Sequence, residues 1–179
     1  LNLNGIMNLI LYFLGLICLS FSQNYQEEIT AKLNLKFPDA HITSKTFTIE
    51  PTLKKLAEQA VRQRFFKPTL YTWKIETDQQ TYFAILDNVP SKIQMITFLM
   101  IFDSQKQITQ VEIIKYREAY GGEISQESFL KQFEQKDPKS SFKIGSEIKN
   151  ISGATISVNS LNSGVKKLTF LFTEIMEQF

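Results

Sequence analysis

One cysteine and one histidine are all that this 179-residue chain offers of the two most versatile ligand and nucleophile types. A disulfide framework needs pairs of cysteines, and a zinc site needs several Cys or His ligands, so both are excluded. Any Ser–His or Cys–His catalytic pair would have to run through His41 alone. Glycine (7) and proline (5) are sparse, which leaves no collagen-like repeat and no Gly/Pro/Ser linker. Excess charge is lacking as well. Lys and Arg total 20 against 18 acidic residues, a net charge of +2, too even to predict a nucleic-acid partner. Hydrophobic residues make up 43% of the chain, a globular proportion, and the length suits one domain with a real core.

Long apolar runs are also scarce. The first, Leu9 to Leu19, ends in Ser20-Phe21-Ser22. Its length and the small residues after it read as a secretory signal over 1–22, with Met7 as the true start, and it is short for a membrane span. The positive residues usual before such a run are missing; retention as an anchor and a buried N-terminal helix are the competing readings. Leu16-Ile17 before Cys18 do not fit a lipoprotein signal. Removal of 1–22 would leave a mature chain, 23–179, without cysteine. That chain reads as one domain, exported to the periplasm or cell envelope, free or membrane-associated.

Within it, Ile42 to Ile49 is rich in Thr and β-branched residues and predicts a short strand. Pro51 suits a helix start, and Leu53, Leu56, Ala57, Ala60, Val61 and Phe65 recur at helical spacing, predicting a helix that ends near Phe66. Its cations Lys54, Lys55, Arg62 and Arg64 read as a solvated face. Strands are predicted over Leu70–Thr77, Thr81–Asp87, Ile93–Phe102 and Ile108–Tyr116, with turns at Asp78-Gln79-Gln80 and Asp103-Ser104-Gln105. The run IQMITFLMIF marks a central strand. Short turns between neighbours imply an antiparallel meander. A helix is predicted over Ser125–Phe133, with Ser125 and Ser128 as cap-type residues. Ser157–Phe179 is the strongest helix, with Leu161, Val165, Leu168, Leu171, Phe172, Ile175 and Phe179 on one face. The sum is α+β: an antiparallel β-sheet packed with helices, ending in a long C-terminal helix.

Ile151 to Asn159 reads ISGATISVN and feeds that helix. Gly153 and Ala154 permit close approach to the backbone. Ser152, Thr155 and Ser157 supply hydroxyls, and the first N–H groups of a helix favour a phosphate. Simple helix capping is the plain alternative. Tyr116 to Ile124 reads YREAYGGEI, between a predicted strand and a predicted helix containing SFLKQF. Read by itself, it is a strand-to-helix turn with a solvated Arg–Glu pair.

The order Ser152-Gly153-Ala154-Thr155 resembles the flavinylation motif of the FMN-binding domain family. Flavoprotein subunits of the Rnf complex and of the sodium-translocating NADH:quinone reductase belong to that family. YREAYGGEI and the following SFLKQF are similar to a second segment of its stand-alone branch. The resemblance implies FMN esterified through its phosphate to Thr155, attached by a separate FAD:protein FMN transferase. It also implies an electron carrier or redox subunit rather than a stand-alone enzyme, with membrane or exported electron carriers as partners. The residues expected to hold the cofactor are Thr155, Ser152, Gly153, Ala154, Ser157, Tyr116, Arg117, Glu118, Gly121 and Gly122. Arg117 would offset phosphate or reduced-flavin charge, and Tyr116 or Tyr120 would stack on the ring. No catalytic residues and no resident metal are expected. One departure stands out: the family usually has Asp three residues before the Ser/Thr, and here Lys149 occupies that place, with Glu147 and Asn150 out of register. A non-flavinylated or reversibly FMN-binding accessory module is therefore the alternative. A hydrolase using Ser152 or Ser157 with His41 is a third reading, and it lacks the GxSxG context of a nucleophile elbow.

Overall fold

The computed structural model describes residues 25–179. The apolar segment, Cys18 and Met7 lie outside these residues. A first helix, α1, covers 25–36. Strand β1 (His41–Thr48) leads to helix α2 (Pro51–Val61). Four strands follow: β2 (Thr69–Glu76), β3 (Thr81–Pro90), β4 (Met95–Asp103) and β5 (Ile108–Lys115). A short helix α3 (Glu127–Leu130) and the long helix α4 (Thr155–Glu177) complete the fold. The strands form one antiparallel sheet in the order β1-β2-β3-β4-β5. The class is the α+β expected from the sequence.

Both faces of the sheet are covered, and this explains the apolar run of β4. Ile96, Phe98, Met100 and Phe102 point into the cluster that contains the α4 side chains. Leu99 and Ile101 point the other way, toward Ile29 and Leu33 of α1. A strand buried on both faces loses the polar alternation of a half-exposed one. Trp73 is fully buried on the α1 side, and its Nε1 donates to Thr30 Oγ1 at 2.8 Å. On the other side Phe102 stacks on Phe172 of α4 at 4.0 Å between ring centroids. Burying each such side chain is worth about 1.5–3 kcal/mol, so α4 is held to the sheet mainly by packing. Gly164 marks the closest approach: a Cβ there would sit 2.4 Å from Val89 Cγ1.

Two helices differ from expectation. Helix α2 begins as expected at Pro51, with Glu50 Oε2 accepting from the N–H groups of Thr52 and Leu53. It ends at Val61, not near Phe66, because Arg62 turns left-handed at φ 55°. Tertiary bonds hold the chain beyond it. Gln63 Nε2 donates to Ser160 O on α4, and Phe65 N donates to Glu58 Oε1. Leu56, placed on the apolar face by spacing, is 52% exposed, and among the buried residues of α2 only Ala57 appears. The continuous helix expected over Ser125–Phe133 is broken instead. A 3-10 turn (Gly122–Ser125), an extended Gln126, α3 and a second 3-10 turn (Lys131–Phe133) succeed one another. The break lets Ile124, Phe129, Leu130 and Phe133 all reach the core. Neither Ser125 nor Ser128 caps α3 through its side chain.

Candidate functional site

Three loops meet at the start of α4: residues 91–94 between β3 and β4, 116–121 after β5, and 151–154 before the helix. Thr155 is the first helical residue, and Ala154 is the N-cap. Alanine has no oxygen to offer, and no side chain caps this helix. The first intrahelical bond runs from Val158 N to Ala154 O. Among the described residues, the N–H groups of Thr155, Ile156 and Ser157 have no partner. The plain alternative, in which the motif's hydroxyls cap the helix, is therefore not what the chain does. The start of this 23-residue helix is left with open donors and partial positive charge.

Ser152, Gly153 and Thr155 are exposed, while Ala154 and Ser157 are buried. Gly153 takes a positive φ of 82°, which turns the loop into the helix. Ser157 is the junction of the three loops. Its Oγ lies 3.0 Å from Tyr116 OH and 3.1 Å from Ser91 Oγ. Tyr116 has a single hydroxyl hydrogen and donates it to Tyr120 O at 2.5 Å. Ser157 must then donate to Tyr116, while the Ser91 hydroxyl lies beside both Ser157 Oγ and the Glu118 carboxylate. Gly121 closes the contact, since a Cβ there would lie 2.8 Å from Tyr116 OH and 3.3 Å from both Ala154 Cβ and Ser157 Oγ.

The structure thus brings the two sequence segments together through Tyr116, Gly121, Ala154 and Ser157. Others of the expected set point elsewhere. Glu118 Oε1 accepts from the N–H groups of Ile93 and Gln94 at 2.7 and 2.9 Å, fixing the β3–β4 turn. Those N–H groups, Gln94 first, hold its carboxyl below the usual range. Arg117 is exposed and its Nη2 reaches Tyr25 OH at 3.5 Å. Gly122 is exposed. Tyr120, at 86% exposure, presents its ring at the surface, whereas the Tyr116 hydroxyl is engaged inside the junction.

Lys149 is exposed, and its main-chain N–H donates to Gln132 Oε1 at 2.7 Å. Glu147 is committed to the preceding loop. Its carboxylate accepts from Ser141 Oγ and from Phe142 N, and pairs with Lys136 at 3.3 Å. Its pKa is lowered, by the Ser141 hydroxyl above all. It does not stand in for the acidic residue missing at 149. Among the described residues no group of three or more His, Cys, Asp or Glu could hold a metal ion. His41 is exposed on edge strand β1, 3.4 Å from Thr43 Oγ1, while Ser157 is bonded to Ser91 and Tyr116. No Ser157–His41 pair forms. Sequence reasoning missed Ser91, which has no local signature; its partner lies 66 positions away.

An α+β domain with an uncapped helix start beside a tyrosine-and-glycine loop is the class that the fold and site define. Residues 93–169, from the turn before β4 into α4, match the family model for the FMN-binding domain. This part of the chain, which holds both segments, is similar to that family. The match supports a flavin-binding, electron-transfer role. No curated protein matches the chain.

Proposed function

We propose that this protein is an exported electron-transfer flavoprotein that carries FMN as a phosphoester of Thr155. The observation that supports this most directly is the exposed Thr155 hydroxyl at an uncapped helix start. The residues fit the group. The open amides of Thr155, Ile156 and Ser157 are suited to phosphate oxygens, and no side-chain oxygen competes for them. Attachment uses the Thr155 oxygen as nucleophile: it bonds to the FMN phosphorus of FAD, the pyrophosphate bond breaks, AMP leaves, and the hydroxyl proton is released. The transferase supplies the activation that a threonine of ordinary acidity lacks. Once attached, the flavin supplies one- and two-electron chemistry, and the protein supplies attachment and orientation. Tyr116, Ser157 and Gly121 act by holding the two loops in place. The apolar segment before residue 23 supports export, where covalent attachment keeps the cofactor from being lost by diffusion. Membrane-bound or exported electron carriers would be its redox partners.

Co-expression of the full chain with the transferase tests this. The denatured band is expected to fluoresce, and a peptide containing Thr155 to gain the mass of FMN less water. Thr155→Ala is expected to abolish both signals; the same mass gain in that variant would sink the assignment.

The alternative, a reversibly binding or structural accessory module, draws on Lys149. A cation there repels the transferase's metal and faces no acidic substitute, Glu147 being engaged. Lys149→Asp is therefore expected to raise the flavinylated fraction at fixed transferase and time, read from band fluorescence. An unchanged fraction would show that the departure has no bearing on transfer. A colourless wild-type protein after co-expression would favour the accessory module.

A further inference from the structure

A second concave feature lies off the helix start, and of the residues expected to hold the cofactor only Arg117 lines it. Strand β2 pairs with β3 only as far as Tyr71↔Leu86, while β3 runs on to Pro90 paired with β4 alone. The strands part there, and a cavity of about 460 Å³ opens between them. The segment after α2 and the first turn of α1 close it, through Phe66, Lys67 and Tyr25.

Its walls are apolar or aromatic, with Tyr71, Leu86 and Met95 at the base and the largely exposed Phe66 at the edge. Its polar groups include an amide and two cations. Thr97 Oγ1 donates to Asn88 Oδ1 at 2.7 Å, which fixes the amide orientation and leaves the Asn88 NH₂ without an acceptor among the described residues. Lys67 and Arg117 have no ion-pair partner among the described residues. Arg117 and Lys115 both donate to the same oxygen, Tyr25 OH. The one carboxylate on the lining, Asp87, is buried and pairs instead with Lys167 of α4 at 3.2 Å. An apolar slot that offers an amide NH₂ and two cations without counter-ions is complementary to a flat ligand with acceptors at its rim.

We infer that this cavity is a ligand site for a planar ring bearing carbonyl or carboxylate oxygens, held by the Asn88 amide and the Lys67 and Arg117 cations. Two sources share that chemistry: the dione edge of a flavin, or a separate small molecule of the quinone class. The first source rests on the flavin attachment proposed above, and the second does not.

The full chain, expressed without the transferase, is titrated calorimetrically with 2-hydroxy-1,4-naphthoquinone and with riboflavin. At least one probe is expected to bind at one per chain. Asn88→Leu, and separately the double variant Lys67→Met/Arg117→Met, are each expected to weaken it about tenfold, whereas Lys55→Met on the exposed face of α2 leaves it unchanged. Lys67 and Arg117 are exposed, so the double variant keeps the test alive where Asn88→Leu fails to fold. Flavinylated protein that no longer takes up the naphthoquinone assigns the cavity to the protein's own flavin ring; unchanged uptake assigns it to a separate ligand. Binding of neither probe, or affinities indifferent to both cavity variants, would overturn the inference. Failure of flavinylation shows on the denaturing gel and leaves these titrations untouched, so the two readings fail separately.

Discussion

Replacing Lys167 by methionine is expected to cost about 3–5 kcal/mol of folding stability, the range for leaving a buried charge uncompensated. Lys167 lies in the middle of α4 with no exposed surface. Its ammonium sits 3.2 Å from Asp87 Oδ2 on β3, 3.4 Å from Arg64 O, and 3.9 Å from the centre of the Phe65 ring. It therefore ties α4 to the sheet and to the segment after α2 together. Methionine fills the same stem volume but strands Asp87, which is 5% exposed and whose Oδ2 already has no well-aligned hydrogen bond. The double variant Lys167→Met/Asp87→Leu is expected to recover most of the loss, because an apolar pair of similar volume needs no counter-charge. Denaturant unfolding of the three proteins checks this. A single-variant cost below about 1 kcal/mol, typical of solvated pairs, would contradict burial of the pair.

The same pair predicts a pH dependence. Burial pushes the Asp87 carboxyl above its ordinary value of 3.8, and Lys167 pulls it part of the way back. The folded protein thus holds this proton more tightly than the unfolded chain. The resulting stabilisation is fully present below the ordinary carboxylate range and is lost as pH rises through the raised folded value. Without Lys167 the pull-back is gone, so the loss runs on to higher pH. The deficit of Lys167→Met is accordingly expected to shrink as the pH falls toward 4, and a deficit flat in pH would tell against this account.

Gly121→Val is expected to be the other severe change. Gly121 sits at φ 83°, a conformation that costs a β-branched residue about 1–3 kcal/mol. Its side chain would also press on Tyr116 OH, Ala154 Cβ and Ser157 Oγ, and such overpacking adds about 1–3 kcal/mol. The total of roughly 2–5 kcal/mol falls on the joint between the two loops of the site. Flavin transfer is therefore expected to fail although Thr155 is intact. Gly122→Ala is the control. A Cβ there meets only Tyr116 Cε1 at 3.9 Å, an ordinary contact, and its φ is not positive. Stability within about 0.5 kcal/mol of wild type is expected for it. Equal effects at the two glycines would show that the joint is not what Gly121 serves.

Much of the fold was legible because it is written in local periodicity. The apolar run of β4 marked a central strand, and the turns at 78–80 and 103–105 foretold antiparallel neighbours. The face of α4 from Leu161 to Ile175 is buried as its spacing required, with Phe179 half-buried against Phe83. The Thr155 and Tyr116 segments were legible as patterns of residue types, and the match over 93–169 covers both.

Long-range contact decided the rest. Spacing marks Leu56 as apolar-face, but how far a helix face is buried depends on what lies opposite, and the described residues leave about half of it exposed. Lys167 is enclosed by Asp87 and the Phe65 ring, which come from β3 and the segment after α2. The helix expected through Gln126 breaks because four apolar side chains on either side of it compete for one core. Ser157 reads as one hydroxyl of a helix start; only folding brings Tyr116 and Ser91, 41 and 66 positions away, onto it. Local sequence settles which segments form strands and helices, because backbone preference and side-chain period act over a few residues. It does not settle which hydroxyl ties the loops together and which stays free, because that depends on neighbours the chain acquires only when the sheet and α4 have packed.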